Sequence, residues 1–257
     1  MHPELLKIGP FTVYSYGLML GIAFVAGTFL AAKEVERKGM GKGSIFDFFL
    51  ITLIVSVVVS RLFYVAFRLH AYLSAPLGIL DIRDGGLAIH GGLLGGIGVG
   101  LWYSRRNNIS FWRLADALAP SLALGIGITR WGCLLAGCCY GTLSTLPWAV
   151  STHYAPGWRH PAQIYESILD LAIFGLLWAR RKKRATDGQL FLAFVGLYSI
   201  ARFFVEFYRE ADLKLGPVTV AQAGSIVLAI LTSLVSLYLG KVSRSRSRTQ
   251  GSRSEPL

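Results

Sequence analysis

His90 stands in the stretch DIRDGGLAIHGGLLGG, residues 81–96, with Asp81, Arg83 and Asp84 before it and Gly91, Gly92, Gly95 and Gly96 after it. An imidazole titrates near neutral pH, so at such a place it can take a proton from a nucleophile. Glycines at this density cost a helix in water about 1 kcal/mol each relative to alanine. Their return is proximity: without a Cβ, a neighbouring helix or a lipid headgroup can approach the backbone closely. The competing reading of His90 is a packing histidine bonded to a nearby carbonyl.

Two further clusters carry chemistry. TRWGCLLAGCCYGTLSTLPWAV, residues 129–150, is followed by RHPAQIYE, residues 159–166. Arg130 can fork onto a phosphate in a way lysine cannot, and otherwise reads as a snorkelling helix-end anchor. In LYSIARFFVEFYRE, residues 197–210, Tyr198, Arg202, Glu206 and Arg209 recur at steps of four, four and three and fall on one helix face. Such a stripe predicts an interior ion-pair ladder in which Glu206 compensates the arginines and Arg202 is left to meet a ligand anion. A ladder that only staples helices together is the alternative.

The elements that must hold these residues follow from composition. Of 257 residues, 53% are hydrophobic and only 16% charged, outside the usual range of a soluble globular domain. A membrane-spanning helix needs about 20 mostly apolar residues. Seven runs qualify, near 15–32, 45–67, 87–103, 111–128, 163–179, 189–207 and 218–239. The first has no basic leader and no small-residue cleavage pattern after it, so it is expected to be retained. The prediction is an all-α, polytopic integral membrane protein with about seven transmembrane helices and a small periplasmic-side loop region. Residues 1–240 are read as a single transmembrane domain with a central lipid-accessible cavity. Residues 241–257, KVSRSRSRTQGSRSEPL, are read as a basic, disordered cytoplasmic tail.

Orientation follows the positive-inside rule. Lys33, Arg37, Lys38, Lys42, Arg105, Arg106, Arg180, Arg181, Lys182, Lys183, Arg184 and the five basic residues of the tail fall on one side. Lys7, Arg68, Arg83, Arg130, Arg159, Arg209 and Lys214 fall on the other. The excess puts the N-terminus outside and the C-terminus in the cytoplasm. The net charge of +12 is concentrated beside span ends, which points to anionic lipid headgroups and away from nucleic acid. No internal repeat is visible, and an odd number of spans disfavours the paired halves of many transporters.

With these residues in view, the chain resembles the bacterial prolipoprotein diacylglyceryl transferases. YSYGLML, DGGLAIHGGLLGG, ITRWGCLLAGCCYG with LPWAV, RHPAQIYES and YSIARFFVEFYRE occur in the family's order over nearly the whole length. The resemblance implies a seven-span enzyme of the bacterial inner membrane. Such enzymes move the diacylglyceryl group of phosphatidylglycerol onto the lipobox cysteine of a preprolipoprotein, forming a thioether and releasing glycerol 1-phosphate. It implies phosphatidylglycerol, lipobox segments and membrane lipids as partners, and neither a cofactor nor a metal. By the same resemblance His90 matches the family's proposed base, and Arg130 and Arg202 its two essential arginines. Tyr16, Gly91, Gly92, Tyr198, Glu206, Arg209, His160, Gln163, Tyr165 and Glu166 match positions expected to bind substrate.

The chain departs from that pattern at two positions. Where the family's well-known members carry asparagine and glutamate, this chain has Cys133 and Cys138; with Cys139 these are its three cysteines. A Cys133–Cys138 disulfide, uninvolved thiols, a reactive thiol, or metal binding with His153 or His160 are the open readings; the spacing is not a zinc signature. The departure keeps two other functions in play: a family-like protein with altered or lost transferase activity, and a membrane transporter or channel.

Overall fold

The computed structural model describes residues 3–8, 11–40, 45–73, 78–79, 86–182, 186–210 and 214–251. Asp81, Arg83, Asp84, Gly85, Lys42, Lys183, Arg184 and residues 252–257 lie outside them.

Two short strands, β1 (Glu4–Ile8) and β2 (Phe11–Tyr14), pair antiparallel ahead of α1 (Ser15–Arg37). There follow α2 (Ile45–Phe67), the short α3 (Leu69–Leu73), α4 (Ile89–Arg106) and α5 (Phe111–Ala136). An antiparallel pair β3 (Val150–Thr152) and β4 (Ala155–Arg159) leads into α6 (Ala162–Arg180) and α7 (Gln189–Val205), which ends in a single 3-10 turn, Glu206–Tyr208. A minimal hairpin, β5 (Lys214–Leu215) and β6 (Val218–Thr219), starts α8 (Val220–Gly251).

Six of these helices are long and apolar enough to cross a membrane. The apolar stretch of α8, Val220–Lys241, has a mean hydropathy of 2.0 yet only 17% of its most apolar window is buried. Such a face is stable only against lipid, so the chain is a multi-pass membrane protein. The seventh expected span, α4, forms a helix of 18 residues, but it is interrupted by glycines and ends in Arg105 and Arg106. Helix α8 continues to Gly251. The basic segment contains good helix formers, no proline and no glycine before Gly251, so an established helix propagates into it cheaply.

The chain divides into two compact units, residues 32–115 and residues 1–31 with 116–257. The first is built on the seam between α2 and α4. A Cβ on Gly91 would lie 2.6 Å from the Val59 carbonyl oxygen and 2.8 Å from Ser60 Cα, and one on Gly95 would lie 3.1 Å from Ser56 Cα. Two glycines one turn apart thus face two serines one turn apart, and backbone meets backbone. Ser60 closes the end of the seam: its hydroxyl donates to the Ala88 carbonyl at 2.7 Å, and Ala88 N–H donates to the Ser60 carbonyl at 3.1 Å. Arg61 donates from Nε, Nη1 and Nη2 to the carbonyls of Ile79, Gly86 and Gly78 at 3.0, 3.0 and 2.7 Å.

The second unit packs α6 and α8 against α7. Its apolar core includes Ala119, Ala123, Ile173, Leu177, Leu190, Phe194 and Ala201. Asp116, fully buried on α5, accepts the N–H groups of Gly188 and Phe191 at 2.9 Å each. The carboxylate thereby satisfies orphan donors at the N-terminus of α7 and complements its dipole. The segment after α5 is also tied down. Gly141 N–H donates to the His160 carbonyl, His160 N–H to that of Thr142, and Thr142 N–H to that of Tyr208, all within 3.0 Å. Gly141 has no room for a side chain there, since a Cβ would lie 2.6 Å from the His160 carbonyl oxygen.

Candidate active site

Within the second unit three helices contribute one continuous run of charges. Arg130 comes from the last turns of α5, Glu166 from the second turn of α6, Arg202 from the last turn of α7, and Glu206 and Arg209 from the 3-10 turn and the residue after it. Arg130 Nη2 lies 2.6 Å from Glu166 Oε1, and Arg209 Nη1 lies 3.3 Å from Glu166 Oε2. Arg209 Nε is 4.0 Å from Glu206 Oε2, which also touches Arg202 Nη1 at 2.6 Å. The order is Arg130, Glu166, Arg209, Glu206, Arg202: three guanidiniums held by two carboxylates, with one positive charge in excess.

The carboxylates face inward and the guanidiniums outward. Glu166 and Glu206 side chains are 2% and 5% exposed; those of Arg130, Arg202 and Arg209 are 19%, 19% and 17%. The two 2.6 Å contacts join opposite charges away from the N–H direction, so neither counts as an in-line hydrogen bond, and Arg130 Nε is buried with no hydrogen-bond partner among the described residues. Each end of the run therefore keeps donor capacity unspent. Glu206 is steadied from the other side by Thr219, whose hydroxyl donates to Oε1 at 3.0 Å. Thr219 is also the N-cap of α8: its Oγ1 accepts Gln222 N–H at 3.1 Å, and Gln222 Oε1 accepts Thr219 N–H at 3.0 Å, a reciprocal capping box.

The predicted residues sort clearly. Arg130, Glu166, Arg202, Glu206 and Arg209 meet in one run, and Tyr198 lies within electrostatic reach of Arg130, Glu166 and Arg202. Glu206, one turn on from Arg202, is in contact with it. Gln163 is fully buried and donates to the Cys138 carbonyl at 2.6 Å, while its Oε1 has no hydrogen-bond partner among the described residues. Tyr165 and His160 form a side group: Tyr165 OH receives Trp148 Nε1 at 2.9 Å and lies 3.2 Å from His160 Nδ1, and both rings pack on Tyr208. Tyr16 is 42% exposed, within electrostatic reach of Arg130 and all three cysteines.

His90 lies in the first turn of α4, in the other unit. It is exposed and has no hydrogen-bond partner among the described residues, so the carbonyl-bonded packing histidine is not what forms. Gly91 is buried against α2, a packing that leaves no room for a side chain. Gly92 is half-buried, and a Cβ on it would lie 3.0 Å from Ser60 Oγ.

Asp170, Thr219 and Gln222 escaped the sequence reading. Asp170 sits one turn beyond Glu166 on the same face of α6, is 1% exposed, and has Oδ2 without a hydrogen-bond partner among the described residues. Its signal was legible as a second acid four residues on in an apolar span. The TVAQ capping box was legible too. Cys133, Cys138 and Cys139 are free thiols here. Hydrogen bonds from the Cys133 and Cys138 thiols, followed by the charges of Arg209 and Arg130, pull Cys139 well below the usual thiol range.

Residues 3–238 match the family model of prolipoprotein diacylglyceryl transferase. The chain belongs to the prolipoprotein diacylglyceryl transferase family. Relatives named phosphatidylglycerol--prolipoprotein diacylglyceryl transferase occur in Bacillus cereus, Bacillus thuringiensis and Bacillus anthracis. Each is 37% identical over 252 residues, covering 94% of this chain and 93% of the relative. The match spans both units and every residue of the charge run.

Proposed function

We propose that the chain transfers the diacylglyceryl group of phosphatidylglycerol to the thiol of a lipobox cysteine in preprolipoproteins. In this reaction a thiolate attacks the glycerol carbon, a C–S bond forms, the C–O bond to phosphate breaks, and glycerol 1-phosphate leaves. The observation that carries the reading, beyond family membership, is the run from Arg130 to Arg202 with its single excess positive charge. The headgroup phosphodiester brings one negative charge, and the leaving phosphate gains a second as the C–O bond breaks. Preorganised guanidiniums in a site of low dielectric stabilise that developing charge most where it matters, in the transition state. Arg130 and Arg202 hold phosphoryl oxygens with their unspent donors, and Arg209 keeps the two carboxylates apart.

A free cysteine is mostly protonated at neutral pH, and the thiolate is the nucleophile. His90 is the base that takes that proton, and its exposed, unpartnered ring suits the task. Tyr16, Tyr198, His160, Gln163 and Tyr165 bind substrate beside the charge run. The lipid's tails stay in the bilayer while its headgroup meets the peptide, so the site is a lipid-accessible cavity near the outer face of the bacterial inner membrane, with the C-terminus in the cytoplasm. The residues supply every step, and no cofactor enters.

The test is purified protein in vesicles with phosphatidylglycerol and a lipobox peptide. Thioether product together with glycerol 1-phosphate supports the reading. Absence of both from folded protein overturns it.

A further inference from the structure

The three cysteines are brought together by a specific helix ending. Helix α5 stops at Ala136, Gly137 takes a left-handed φ of 80°, Gly137 N–H donates to the Leu134 carbonyl and Cys138 N–H to the Cys133 carbonyl, both at 3.1 Å. That is a Schellman motif, in which the side chains of the third-last helical position and the second residue past the cap touch. Those two positions are Cys133 and Cys138. An apolar pair usually fills them; here two thiols do.

The third thiol is added by strain. Cys139 has φ 61°, a conformation non-glycine residues rarely adopt and one that persists only where the surroundings impose it. The result is three sulfurs, from Cys133, Cys138 and Cys139, all within 4.8 Å of one another. Cys133 is buried, whereas Cys138 and Cys139 are half-buried and reachable. Sulfurs bound to one ion at about 2.3 Å in a trigonal arrangement stand about 4 Å apart, so the cluster closes on an ion with shifts below about 1 Å. Arg130 and Arg209 lie within electrostatic reach and offset thiolate charge.

We propose that Cys133, Cys138 and Cys139 form a three-sulfur site for a thiophilic d10 cation, Cu(I) or Zn(II). Three soft donors, with no imidazole or carboxylate in the cluster among the described residues, match these ions and not Mg(II) or Ca(II). Each sulfur that bonds the ion gives its proton to solvent. The bound ion clamps the last turn of α5, the helix that carries Arg130, to the segment leading into Gly141. This inference does not depend on the transferase reading.

The experiment uses the full-length protein in detergent, fully reduced, titrated separately with Zn(II) and with Cu(I) under anaerobic conditions, and with Mg(II) as control. Thiol counting under denaturing conditions establishes that all three are reduced. The expected result is one equivalent of Zn(II) or Cu(I) per chain with proton release, binding at least tenfold weaker in Cys139→Ser, and loss of the site in the Cys133→Ser, Cys138→Ser, Cys139→Ser triple variant. Alkylation of Cys138 and Cys139 slows in the loaded protein. If the triple variant does not fold, X-ray absorption of the loaded wild-type protein decides, with a sulfur shell at about 2.3 Å expected. Reduced protein that binds neither ion, or an ion shell of oxygen and nitrogen alone, overturns the proposal. Equal binding by the folded triple variant does the same. The Cu(I) and Zn(II) arms identify the ion.

Discussion

Arg61 and the pair Arg130 and Arg202 are all arginines in apolar helices, yet they are treated in opposite ways. Arg61, 8% exposed, spends Nε, Nη1 and Nη2 on three main-chain carbonyls of its own unit. Arg130 and Arg202 each meet a single carboxylate, off the hydrogen-bond direction, and keep donors in reserve. An arginine saturated by carbonyls is fixed in place and has nothing left for a ligand. One held by an ion pair at a single edge is oriented and still able to bind. An ionisable side chain in a span is a functional candidate by default, and this comparison shows how to divide such candidates: by what their remaining donors face.

The comparison can be broken in several places. The largest effect is expected at His90, whose exposed ring has no hydrogen-bond partner among the described residues. His90→Ala lowers the rate of thioether formation by about 10²–10⁴-fold, the usual worth of a general base, and leaves the melting temperature in detergent nearly unchanged. A variant with near-wild-type turnover would remove His90 from the chemistry. Next is Glu166→Gln, which takes away the carboxylate shared by Arg130 and Arg209. Breaking a buried pair in this way costs about 3–5 kcal/mol, read as a fall in the denaturation midpoint, with activity lost alongside. Gly91→Val forces a branched side chain against the Val59 carbonyl and costs about 1–3 kcal/mol through overpacking. It reports on the α2–α4 seam, and an unchanged midpoint would mean that the close approach carries no stability. The smallest effect is that of Thr219→Val, which removes the α8 cap at about 1 kcal/mol and the hydroxyl on Glu206 with it. A stability loss with a disproportionate drop in turnover would tie the cap to the charge run.

Much of this was legible in the chain itself. The span predicted at 163–179 forms over Ala162–Arg180, and that at 45–67 over Ile45–Phe67, because apolar length and flanking charge set both ends. The span predicted at 111–128 runs on to Ala136, since Thr129, Arg130 and Gly132 interrupt the hydropathy without stopping the helix. The Tyr198-to-Arg209 stripe was visible as periodicity, and the 3-10 turn explains its final step of three. The pairing of Glu166 with both Arg130 and Arg209 was not visible, because those contacts join residues far apart in sequence and local spacing says nothing about them. The cysteine cluster was half legible. The proximity of Cys138 to Cys139 is trivial, but that of Cys133 depends on a helix ending whose geometry only the backbone reveals.

The central claim is that the excess charge at the two ends of the run holds a phosphoryl group for displacement. It is tested most directly by comparing Arg61→Ala, Arg130→Ala and Arg202→Ala in one assay of diacylglyceryl transfer from phosphatidylglycerol to a lipobox peptide, each rate normalised to folded, membrane-inserted protein. The expected result is a loss of about 10²–10³-fold for Arg130→Ala and for Arg202→Ala, the scale of a deleted transition-state donor, with Arg61→Ala losing stability but retaining turnover per folded molecule. Near-normal turnover in either of the first two variants, or a loss in Arg61→Ala as large as theirs, would contradict it.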